Sequence, residues 1–67
     1  KQDQLIWHID KKDRDIKVVW GTGWKLQNDN ELPFEIKIGQ TYHINKESFH
    51  RLLKGDSELK LEIKEYE

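Results

Sequence analysis

The stretch "IKVVWGTGWKL", residues 16–26, decides how this chain folds. Its even positions read Ile16, Val18, Trp20, Thr22, Trp24 and Leu26, and its odd positions read Lys17, Val19, Gly21, Gly23 and Lys25. Side chains alternate between the two faces of a strand, so an unbroken period of two over this length predicts one long strand or two collinear ones. Gly21 and Gly23 fall on the face opposite the indoles. Glycine within a strand marks a bulge, a bend or a barrel corner. The expectation is therefore a strand bent at the glycines, with Trp20 and Trp24 wrapped inside the curve.

The flanking segments carry the same period. In "LIWHI" (5–9), Leu5, Trp7 and Ile9 share a face opposite Ile6 and His8, the pattern of a half-buried strand. The charged run "DKKDRD" (10–15) reads as a turn, and the Asn- and Asp-rich "QNDNE" (27–31) as another. Pro33 opens a third strand in which Phe34, Ile36 and Ile38 alternate with Glu35 and Lys37, and Tyr42 and Ile44 continue that parity. Leu59, Leu61 and Ile63 alternate with Lys60, Glu62 and Lys64 in a closing strand, whose charged outer face is expected to discourage edge-to-edge pairing.

Between these strands the period changes. Phe49, Leu52 and Leu53 follow helical spacing, and Asn45 suits an N-cap. Ile44 and Phe49 stand at the positions of a hydrophobic staple, and Gly55 at the C-terminal stop. This predicts a short α-helix over 46–54. The resulting fold class is mostly β: a small, antiparallel, SH3-like partly open barrel, or a curved sheet, of about five strands with that helix before the last one.

Composition narrows function by exclusion. The chain has 67 residues and no cysteine, so neither a disulfide nor a thiolate metal site is available. Twelve basic residues against 13 acidic ones give a net charge of −1, which does not suit a dedicated nucleic-acid coat. Apolar runs do not exceed three residues, too short for a membrane span or a signal peptide. The chain opens on Lys1 rather than Met. It is read as one small domain (1–67), either trimmed or cut from a longer protein, and as soluble and cytoplasmic.

No catalytic constellation emerges. Ser48 and Ser57 lack an activating context, and the GTG of residues 21–23 lacks the length of a phosphate-binding loop. His8, His43 and His50 match no metal-ligand spacing, and the acidic turns lack the calcium-loop pattern. Enzymatic activity, a metal and a cofactor are therefore not expected. Two surfaces remain for a partner. One is a strip around the glycines: Ile6, His8, Lys17, Val19, Gly21, Gly23 and Lys25. Bare backbone beside Ile6 and Val19 suits added-strand pairing with another chain. The other is a basic row on the helix, Lys46, His50 and Lys54. The favoured function is a protein-binding module that regulates or inhibits a larger partner. Alternatives are a small nucleic-acid-binding barrel using Trp24, Tyr42, Lys17 and Lys25, and a structural or oligomerising domain of a longer chain.

Overall fold

The computed structural model of the chain describes residues 5–67. Six strands run in the order β1 (Arg14–Trp20), β2 (Lys25–Asn28), β3 (Phe34–Glu35), β4 (Thr41–Ile44), β5 (His50–Leu53) and β6 (Lys60–Glu65). They form two three-stranded antiparallel sheets, ordered β4-β1-β6 and β3-β2-β5. The mostly β, antiparallel expectation holds. The ladders do not close into a barrel, and no α-helix is present among the described residues. Among the described residues there is accordingly no helix long and apolar enough to cross a membrane.

The core lies between the sheets. Ile16 and Val18 of β1 and Ile44 of β4 meet Leu26 of β2 and Leu52 of β5, with Trp24 and Ile36 from the connections. Alternation explains the choice: Ile16 and Val18 point in while Lys17 and Val19 are exposed.

The bent-strand reading of 16–26 is half right. β1 and β2 do follow one another through the glycines, but they belong to different sheets, so residues 21–24 form the corner where the chain crosses between layers. The pairing of β1 with β6 slips between Val18 and Trp20, a β-bulge. One extra residue reverses the facing of the residues that directly follow it in the strand. Trp20, expected inside, is 54% exposed, whereas Gly21 is buried against Leu59. Trp24 recovers the inward face and is buried, its indole Nε1 donating to the Ser57 carbonyl at 2.7 Å. The loop at 55–57 clasps this corner. Asp56 N donates to Thr22 O at 2.9 Å, and Thr22 N donates to Ser57 Oγ at 3.1 Å.

The expected helix over 46–54 is corrected to a turn and a strand. Glu47 adopts φ 60°, a left-handed conformation that ends a helix before it starts. The amide of Lys46 donates to Asp13 Oδ1, and that of Glu47 to Asp10 O, each at 2.7 Å, so the "DKKDRD" loop takes the donors of the would-be first turn. Beyond the turn, β5 pairs with β2 and buries His50 and Leu52 on one face. A helix of nine residues is marginal on its own, and a paired, half-buried strand wins.

Residues 5–9 form no regular strand. A single antiparallel bridge joins His8 to His50, with reciprocal backbone bonds of 3.0 Å. Leu5 packs against the core, whereas Trp7 and Ile9 are exposed, and the Arg51 guanidinium lies 4.8 Å from the Trp7 ring centre.

Candidate metal centre

The bridge between residues 5–9 and β5 assembles a cluster that linear spacing does not reveal. His8 and Asp10, two residues apart on the segment bridged to β5, converge with His50 on that strand. One ligating atom from each lies within 4.8 Å of the others. The His8 and His50 rings meet edge to face at 4.3 Å between centroids. His50 is 3% exposed, and the Asp10 side chain only 10%.

The histidines are held in matching orientations. His8 Nδ1 donates to the Ile6 carbonyl at 2.9 Å, and His50 Nδ1 to the Ser48 carbonyl at 3.0 Å. A carbonyl only accepts, so each Nδ1 carries a proton, and each Nε2 faces the cluster, where the neutral ring offers a lone pair. Metal-binding histidines are oriented in this way by a carbonyl or carboxylate behind the ring. Arg14 stands behind the carboxylate: its guanidinium lies 3.4 Å from Asp10 Oδ1 and 2.6 Å from Glu65 Oε2.

Buried polar atoms are normally paired. Among the described residues, the buried side-chain atoms without a hydrogen-bond partner are His8 Nε2, Asp10 Oδ2 and Arg14 Nε. All three belong to this one corner of the molecule.

The partner surfaces expected from the sequence are arranged differently. β1 is flanked by β4 and β6, so Ile6 and His8, which sit beside β5, do not join Lys17 and Val19 in one strip. Ile6 and Val19 are each exposed, and Lys17 and Lys25 project from separate sheets. Gly21 is buried, Gly23 is half-buried, and Trp24 lies in the core. Tyr42 is half-buried and accepts the Lys37 amide at its hydroxyl. The basic row does not exist as a row: Lys46 lies in a turn, His50 is buried in β5 and Lys54 is exposed beyond its end. Without the helix, nothing gives the three residues a common face.

Sequence reasoning missed the His8–Asp10–His50 cluster because it placed His50 on a helix surface. One signal was present: an i, i+2 pair of His8 and Asp10 shares a face of any extended segment. No protein-family model, curated protein or solved structure matches this chain.

Proposed function

We propose that this domain binds a divalent transition-metal ion through His8 Nε2, His50 Nε2 and an Asp10 carboxylate oxygen. The observation that carries the reading is the convergence of unpartnered, buried His8 Nε2 and Asp10 Oδ2 with His50 Nε2, 3.2 Å from Asp10 Oδ2. Two imidazoles and one carboxylate are borderline to hard ligands that suit zinc, iron(II) and related ions, and they leave coordination positions open for a further ligand. Ligand atoms around a tetrahedral ion stand about 3.4 Å apart, given bonds of about 2.0–2.1 Å. The cluster therefore needs only a small closure of its side chains.

Cobalt(II) titration followed by its visible d–d absorption tests this, with zinc competition as the second arm. A single site, lost in His8→Gln and Asp10→Asn variants that keep the wild-type β-sheet circular dichroism, is the expected result. Binding of equal strength in wild type and both variants would sink the reading.

A protein-partner role has one specific observation in its favour. The bulge leaves Trp20 54% exposed, beside exposed Val19. Backbone bonds between Val18 and both Gly39 and Gln40 bring the turn that follows exposed Ile38 alongside. An exposed tryptophan next to branched apolar residues suits the centre of an interface. Trp20→Ala weakening partner capture without altering stability is its test.

A further inference from the structure

β6 pairs with β1 alone among the described residues, and its other edge is open. Tyr66 N donates to Asp13 O at 2.9 Å, which fixes the phase of the ladder. Hydrogen-bonded pairs recur every second residue in an antiparallel ladder. Lys64 and Glu62 therefore direct their backbone groups at Asp15 and Lys17, while Leu61 and Ile63 direct theirs outward to the free edge. The inner face of the strand is covered at Leu61, which packs against the core, but not at Ile63. Ile16 is 3% exposed, yet Ile63, its partner on β6, is 52% exposed. A cavity of about 720 Å³ opens beside Trp24, Leu52, Leu59 and Leu61.

We propose that this edge pairs with β6 of a second copy of the chain, antiparallel and about a two-fold axis at Leu61. The occupant is argued from charge. In that register Leu61 faces its own copy and Ile63 faces the partner's Leu59, hydrogen-bonded through the outward backbone groups. On the opposite face Lys60 meets the partner's Glu62, and Lys64 meets the partner's Glu58. Each attractive pair occurs twice by symmetry. Moving the axis to Glu62 sets Glu62 against itself and Lys60 against Lys64, which like-charge repulsion disfavours. An axis at Ile63 keeps only the Glu62–Lys64 pair, so the axis at Leu61 forms the most attractive Lys–Glu pairs of the registers that the outward backbone groups allow. The two β4-β1-β6 sheets then become one six-stranded sheet, with the half-buried Leu59 and Leu61 and the exposed Ile63 of both copies adjacent on one face. This inference is independent of the metal reading.

Sedimentation equilibrium of the purified chain across a concentration series is the test. The apparent mass is expected to rise from 8.1 kDa toward twice that value. Lys60→Glu and Glu62→Lys, both at exposed positions, should each weaken association about tenfold, since either change converts two attractive pairs into two repulsive ones. The double variant, and an equimolar mixture of the two single variants, should restore it. A mass that stays at 8.1 kDa at every concentration overturns the proposal, as it would if the open edge serves a different protein. Self-association that neither single variant weakens, or that the double variant and the mixture fail to restore, overturns it equally by assigning the contact to another surface.

Discussion

His50 Nε2 stands 3.2 Å from Asp10 Oδ2, close enough for an ion pair, yet Asp10 Oδ2 has no hydrogen-bond partner. The His50 ring cannot turn to improve the contact without giving up its bond to the Ser48 carbonyl. An electron pair shared with a cation satisfies both atoms without moving either backbone. Acidification should therefore release the metal, because protons compete for the same lone pairs.

Arg14 sets the aim of that carboxylate from behind, through Asp10 Oδ1, while anchored to Glu65. Arg14→Gln is expected to lower metal affinity about 10- to 100-fold, the range for loss of a group that orients a ligand. Calorimetric titration with zinc checks it. Unchanged affinity would mean that Asp10 needs no support.

Asp15 is the hub of a separate surface cluster. It accepts from Tyr66 Oη at 2.5 Å and from His43 Nδ1 at 2.7 Å, and these bonds, the tyrosine's first, hold its carboxyl below the ordinary value of 3.8. The bond to Asp15 raises His43 above its ordinary 6.5. The raised group stabilises the fold fully below 6.5, and its contribution fades as pH climbs through the folded value. The lowered group contributes above 3.8 and is lost on acidification. The advantage of wild type over His43→Gln should thus be greatest between those two values and shrink at alkaline pH. Urea unfolding in both conditions measures it, and a constant difference would show that the pair's charge is irrelevant.

Gly55 has no room for a side chain. A Cβ there would strike Thr22 O and the Trp24 amide, which are backbone atoms that cannot step aside. Gly55→Ala should cost about 3 kcal/mol, the upper part of the range for overpacking, read from the shift in urea midpoint. A loss below the scatter of ordinary surface substitutions would show that the corner yields.

The two central indoles should behave oppositely. Trp24→Phe removes the bond to Ser57 O and should cost about 1–3 kcal/mol. Trp20→Phe, at an exposed site, should stay within about 0.5 kcal/mol. Emission spectra of the same variants check the assignment: Trp20 should be readily quenched by iodide and Trp24 protected.

Local patterns carried the β character of the chain and the burial of Trp24, because alternation acts over a few residues. They carried the Asn-rich turn in part, since Gln27 and Asn28 end β2 and the turn is confined to 29–31. The bulge was not legible: an extra residue leaves alternation in the sequence intact and appears only against a paired strand. "NKESFHRLL" fitted a helix locally, and it became β5 because β2 offered a partner and the 10–13 loop took its first amides. The His8–Asp10–His50 cluster depended on that same misread segment, so the place of His50 in it stayed hidden. Legibility failed where a contact distant in sequence outweighed a local preference.

The register that sets Arg14 opposite Glu65 has a consequence for biosynthesis. β1 is the middle strand of its sheet, and β6 follows every other strand in the chain. During translation, Ile16 and Val18 must wait for the final strand before that flank is covered. Closure of so long a loop makes this pairing intrinsically slow. A nascent chain stalled before residue 60 would present a bare hydrophobic strand to its neighbours and to chaperones on the ribosome.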